Sequence, residues 1–287
     1  KDKKVIGILI VVSNLLFILG SFVDYDLALN LYKPLDTFWL IVTSIGLYIY
    51  FMMYVFYFGV LFANESSLKH SKIRKIIYKF NVLIFFILTG ALSCASLQTD
   101  DCLGTLINVD NDNLIFILLF IFTVLPIFIL GLTIKIDDYD VKTERRIKDL
   151  LLICFLSFAL VQLIKTYFTR PRFRYVISDN VAFKPWYKCL FREVYDQSTR
   201  IENYYSFPSG HAVSVISFVA LFPNLSVCFK GLKDKENILM YIGFIISLLV
   251  IISRLILGAH YLSDVSLGSL IGLLFILIYK ENLSKKS

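Results

Sequence analysis

Residues 114–134 read LIFILLFIFTVLPIFILGLTI, 21 positions without one charged side chain. A helix rises about 1.5 Å per residue, so a run of this length spans the ~30 Å hydrocarbon core of a bilayer. Seven further apolar blocks accompany it: Val5–Val23, Phe38–Ala63, Phe80–Leu97, Leu150–Phe168, His211–Val227, Ile238–Ile256 and Tyr261–Tyr279. In lipid every backbone N–H and C=O must pair internally, which only helices and closed barrels achieve. Barrel strands alternate apolar and polar residues over about 10 positions, and these blocks do neither. The expected fold is all-α, a polytopic transmembrane bundle of about eight helices.

Composition agrees. Of the 287 residues 57% are hydrophobic, 16% aromatic and only 18% charged, with a mean hydropathy of +0.73. Soluble domains carry roughly 25% charged residues, so an ordinary soluble enzyme, a disordered chain and a small disulfide-rich secreted module are excluded. The formal net charge of +7 raises nucleic acid as a partner, and the placement of the charges dismisses it. Nineteen of the 29 Lys and Arg residues lie in five short segments, 1–4, 64–79, 135–149, 229–237 and 280–287, while the alternate loops 24–37 and 99–112 hold Lys33 alone. A nucleic-acid face gathers its cations on one surface; short basic loops alternating with poor ones follow the positive-inside rule. Both termini are therefore expected in the cytoplasm, and the loop 169–208 outside.

The first block follows a basic start but lacks a small-residue cleavage site after it, so it is expected to be a retained helix rather than a signal peptide. No linker or internal repeat divides the chain. A single membrane domain, 1–287, is expected, with residues 150–279 carrying all the clustered chemistry and 1–134 none. The five cysteines form no C-x-x-C pair, which argues against a zinc or thioredoxin-type site. Cys102 and Cys189 fall in two outward loops, where a disulfide and two separate thiols are both consistent with an oxidising compartment.

Three polar strings stand at the outward edges of these blocks. Polar and ionisable groups there are functional candidates by default. In the first, Pro208-Ser209-Gly210-His211 precedes an apolar run. Ser209 is placed to cap the helix, Gly210 to admit an anion close to the backbone, and His211 to add an imidazole. In the second, Ser253-Arg254 is followed by Gly258, His260 and Asp264. His260 and Asp264 are spaced i,i+4 and share a helix face, so the carboxylate can orient the imidazole. Arg254 adds a planar fork suited to phosphate. In the third, Lys165, Arg170, Arg172 and Arg174 place four cations within ten residues, more than snorkelling explains. His70 lies in a basic inward loop and reads as solvated.

Together the strings resemble the type 2 phosphatidic acid phosphatase superfamily. Pro208-Ser209-Gly210-His211 and Ser253-Arg254-x5-His260-x3-Asp264 match its second and third motifs without a mismatch. Its first, Lys-x6-Arg-Pro, is met in spacing by Lys165 and Arg172, with Phe173 in place of proline. Arg170-Pro171 keeps the dipeptide and breaks the spacing, so Arg170 is an auxiliary candidate. The resemblance implies a six-helix core, here with extra N-terminal helices, and hydrolysis of a phosphate monoester or diphosphate through a phosphohistidine. His260 is then the nucleophile, Asp264 its orienter and His211 the proton donor; Lys165, Arg172, Arg254, Ser209, Gly210 and Arg170 hold the phosphoryl oxygens. Fixed cations and amides do this work without a metal, and no cofactor is expected.

An active site at a membrane edge calls for an amphipathic substrate: an isoprenyl diphosphate such as the undecaprenyl carrier, phosphatidylglycerophosphate, phosphatidate or a lipid A phosphate. The expected location is a bacterial cytoplasmic membrane, with the site facing outside. The stretch Lys184-Pro185-Trp186-Tyr187-Lys188, with Arg192, reads either as a cover for the headgroup or as an interfacial anchor. A lipid phosphotransferase would use the same residues and differ only in the acceptor. A transporter should show charges or broken helices near the midplane. The first four blocks hold no Asp, Glu, Lys or Arg, and Asn14 and Pro126 are their obvious interruptions.

Overall fold

The computed structural model describes residues 2–34, 36–68, 71–97, 112–189 and 201–286. Among these, seven helices are long and apolar enough to cross a membrane. They are α1 (Asp2–Leu31), α2 (Thr37–Asn64), α3 (Lys72–Leu97), a run made of α4 (Asp112–Leu119), a π turn and α5 (Leu125–Thr133), α6 (Val141–Lys165), and, after the polar loop, α11 (Glu236–Ile256) and α12 (Leu262–Lys286). Between α6 and α11 lie four short helices, α7 (Phe173–Ser178), α8 (Gly210–Ile216), α9 (Phe218–Leu221) and α10 (Leu225–Cys228). The described residues hold no β-strand, only an isolated bridge between Arg170 and Tyr205. Large apolar side chains stand exposed along the long helices, Phe22 at 82% for example, as a lipid-facing surface requires.

The polytopic helical fold is as expected, with two local differences. The block His211–Val227 is not one helix. Its apolar helical stretch ends at Leu221, because Pro223 lacks an N–H and disfavours helix in the residue before it. The other difference is α1, which does not stop at the end of its apolar block but runs eight residues further, to Leu31.

The chain packs as two compact units whose segments alternate along the sequence. One comprises 44–151 and 218–243. Its core gathers Met52, Val55, Phe86, Cys94, Val124 and Phe128, with Phe86 and Phe128 stacked at 4.0 Å between centroids. The π turn Phe120–Val124 precedes Pro126, where the missing proline N–H frees a carbonyl of the preceding turn.

The other unit comprises 1–43, 152–217 and 244–287 and carries all three polar strings. Here α1 runs antiparallel to α12: Lys3 Nζ donates to Ser284 Oγ at 2.9 Å, and the Ser263 N–H donates to Asp24 Oδ1 at 2.9 Å. At the end that bears the polar strings, Ala28, Phe173 and Tyr261 close a small apolar cluster with Tyr32 and Phe183.

Candidate active site

The string around Ser209 folds as its residues dictate. Ser209 is the N-cap of α8, its hydroxyl oxygen accepting from the Ala212 N–H at 3.3 Å. Accepting with a lone pair leaves the O–H available to a ligand. The Ser209 N–H donates to the Asp264 carbonyl at 3.0 Å, which ties this string to the one that holds His260. Gly210 is buried, and a Cβ there would stand 2.8 Å from Gln162 Nε2 and 3.6 Å from Lys165 Nζ. Lys165, in the last turn of α6, is thereby seated against the helix start. His211 follows, half-buried.

The string from Ser253 to Asp264 turns sharply between α11 and α12. The Arg254 carbonyl accepts from the N–H groups of both Ala259 and His260, at 3.1 and 3.2 Å. Gly258 makes the turn with φ +61°, a left-handed conformation that costs glycine nothing. The turn carries His260 to a 1% exposed position. Its Nδ1 lies 2.6 Å from the Ser206 carbonyl oxygen and 3.7 Å from Asp264 Oδ2. A carbonyl only accepts, so Nδ1 carries the proton and Nε2 the lone pair. Burial pushes the His260 pKa down to about 3, with Arg254, Lys165 and Arg172 adding to the push and Asp264 opposing it. The imidazole is neutral at ordinary pH, and three cations from three segments bear on it.

Asp264 is fully buried. Its Oδ2 accepts from the Ser206 hydroxyl at 2.5 Å and the Tyr261 N–H at 2.8 Å, while Oδ1 accepts from Arg170 Nη1 at 2.5 Å. Ser206 thus links the two residues, its hydroxyl on Asp264 and its carbonyl on the His260 Nδ1–H, while the carboxylate itself stands 3.7 Å from that nitrogen.

Residues 146–286 match the PAP2 superfamily. The chain belongs to that superfamily. Members of that superfamily are generally phosphatases, which supports an enzyme here. Neither the curated proteins nor the solved structures provide a match.

Within this PAP2 chain the nine residues read from the sequence do not all face the same way. Lys165, Arg172, Ser209, Gly210, Arg254 and His260 converge where α6 ends and α8 and α12 begin. Arg254 is 0% exposed, and its Nη1 donates to Thr43 Oγ1 at 3.0 Å. Arg172, 8% exposed, is held by its N–H on the Asn203 carbonyl at 2.8 Å. Arg170 differs from the phosphate-holding expectation. It is 0% exposed, with Nη1 on Asp264 and on Ser263 Oγ (2.8 Å), Nη2 on Asp24 Oδ2 at 2.7 Å and Nε on the Lys184 carbonyl at 3.1 Å. Its plane lies 4.0 Å from the Tyr261 ring centroid. Burial works against this charge, and Asp264 and Asp24 more than offset it, so the guanidinium stays ionised. All three of its nitrogens donate to protein oxygens.

The loop after it serves α1. Trp186 stacks on Phe207 (5.5 Å, 11°), lies 5.1 Å from Phe17 and donates from Nε1 to Ser21 Oγ at 2.9 Å. Trp186 is thus packed within the protein, against α1 and Phe207; Arg192, like His70, lies outside the described residues. So does Cys102, while Cys189 Sγ faces the Pro185 carbonyl at 3.3 Å.

Three residues around the site were not anticipated: Ser206, Ser263 and Asp24. The one sequence signal for Asp24 is that helical apolar spacing continues past it through Leu27, Ala28 and Leu31, which makes it a carboxylate inside a helix rather than the start of a loop.

Proposed function

We propose that the protein is a lipid phosphate hydrolase working by covalent catalysis on His260, at the outer face of its membrane and without a metal. The observation that carries this is the neutral His260 whose Nδ1–H is committed to the Ser206 carbonyl, with Lys165, Arg172 and Arg254 bearing on the ring. A lone pair fixed beside three cations is the arrangement for attack on a phosphoryl group. Nε2 forms the N–P bond as the P–O bond to the lipid breaks; His211 gives its proton to the departing oxygen. Water then attacks phosphorus, His211 takes its proton, and the N–P bond breaks to release phosphate. The Ser209 hydroxyl and Gly210 N–H, with the cations, hold the equatorial oxygens as charge builds. The exposed apolar helices beside the site favour a substrate whose tail stays in the lipid.

The test is phosphate release by the purified full chain across a panel of lipid monophosphates and diphosphates, each with chelator and with an added acceptor alcohol. Release is expected on at least one lipid, unchanged by chelator, with water as acceptor. Loss of release in chelator overturns the metal-independent route; phosphorylated alcohol as the main product makes the enzyme a transferase. The membrane face has its own check. In a background without native thiols, Cys at Tyr187, which is 50% exposed, is expected to react with an impermeant thiol reagent on intact cells, and Cys at Ser66 to be shielded. The reverse pattern puts the site in the cytoplasm.

A further inference from the structure

Asp24 stands on α1, 146 positions before its partner Arg170, and is 4% exposed. Nothing about packing asks for it. Arg170 and Asp264 already form a neutral buried pair, and a second buried carboxylate adds a large desolvation cost. Yet Asp24 is fully engaged: Oδ1 accepts from the Ser263 N–H at 2.9 Å, and Oδ2 accepts from Arg170 Nη2 at 2.7 Å and from the Ser263 hydroxyl. Ser263 Oγ in turn accepts from Arg170 Nη1 at 2.8 Å. The guanidinium is stretched between two carboxylates, with Nη2 on Asp24 and Nη1 on Asp264.

Resting on the phosphatase reading above, we propose that Asp24 is a positioning residue for catalysis, acting through Arg170 and Asp264 on His260. Two effects follow from the geometry. Pinning Nη2 directs Nη1 at Asp264 Oδ1, which leaves Oδ2 to Ser206 and the Tyr261 N–H, on the side facing His260. Sharing the Arg170 charge between two carboxylates also keeps Asp264 from being fully neutralised. When Nε2 takes the phosphoryl group, the ring with its Nδ1–H gains positive charge, and the residual negative field of Asp264 at 3.7 Å stabilises it. The phosphate-facing cations are untouched by this arrangement, so the effect belongs to the rate and not to substrate binding.

The experiment compares Asp24→Asn, Asp24→Glu and, as a control, Asp26→Asn, which alters an exposed carboxylate of the same helix. With an aryl phosphate, Asp24→Asn is expected to lower kcat about ten- to a hundredfold, the range typical when the group behind an oriented histidine is lost, with KM within about twofold. Asp24→Glu should recover part of the loss and Asp26→Asn show none. A second readout needs no phosphate substrate: carbethoxylation of His260 by diethyl pyrocarbonate, followed by peptide mass spectrometry with His70 as internal reference. It is expected to slow several-fold in Asp24→Asn. A merely structural Asp24 predicts instead a lower unfolding temperature with unchanged kcat per folded molecule and unchanged His260 reactivity, and that outcome overturns the proposal. If the unaltered chain hydrolyses no substrate, the phosphatase reading fails on its own, while the His260 reactivity still decides whether Asp24 acts on that ring.

Discussion

His260→Ala is expected to abolish phosphate release on every substrate, because it removes the atom proposed to accept the phosphoryl group. The cation set of Lys165, Arg172 and Arg254 remains, so the variant should still bind a lipid phosphate. His211→Ala should behave differently. It removes proton donation, typically worth about 10²–10⁴-fold, but leaves the attack available. An aryl phosphate departs as a stable phenolate and needs little protonation, so its hydrolysis should fall far less than that of an alkyl lipid phosphate. During aryl phosphate turnover by this variant, slower hydrolysis of the intermediate should let acid-labile phosphate be trapped on His260. Equal losses for both substrates, with no trapped phosphate, would mean that the two imidazoles only bind the anion, and the chemistry proposed for them would fall while the family assignment stood.

Arg170→Met is expected to be among the most destabilising single changes in the molecule. It leaves Asp24 and Asp264, 4% and 0% exposed, facing each other with the shared guanidinium gone. Removing one partner of a buried ionic group typically costs about 3–5 kcal/mol, and here two carboxylates lose theirs at once. Thermal unfolding in detergent should register it as a large drop. Adding Asp24→Asn to Arg170→Met removes one of the two stranded charges and should restore part of the stability, although Asp24→Asn alone is destabilising. The contrast is Arg172→Met, expected to raise KM with a much smaller effect on unfolding. If Arg170→Met unfolded like the parent chain and changed only KM, the guanidinium would belong to the substrate, as its place in the sequence first suggests.

That first suggestion shows where sequence reading stops. The span lengths, the basic loops and the three strings are local patterns, and each residue reports on its own neighbourhood; the Ser209 cap needed nothing further, whereas the His260 Nδ1–H goes to the distant Ser206 carbonyl and Asp264 stands 3.7 Å away. Spacing alone does not say which way an arginine turns. Arg170 and Arg172 are two positions apart in an Arg-Pro-Arg, and only their partners separate them: carboxylates 94 and 146 residues distant for Arg170, the ring of His260 for Arg172. Asp24 was hidden because, with Asp26 and Asn30 after it, it reads as the start of a polar loop, and its partners Arg170 and Ser263 are distant in sequence. The broken block after His211 was hidden by composition: Ser217 and Asn224 are few among many apolar residues, and Pro223 reads as a late interruption rather than an end.

The pairing of α1 with α12 sets an order of events during synthesis. Asp24 is synthesised well before Arg170, and Ser263, 239 positions after Asp24, emerges later still, at the start of α12. Until both are made, the carboxylate has none of the side-chain donors it finally accepts from. Contacts of such long sequence separation form late. If Asp24 positions His260 as proposed, that histidine is oriented only after α12 has packed against α1, so that a product stalled before α12 would lack the activity proposed for the chain.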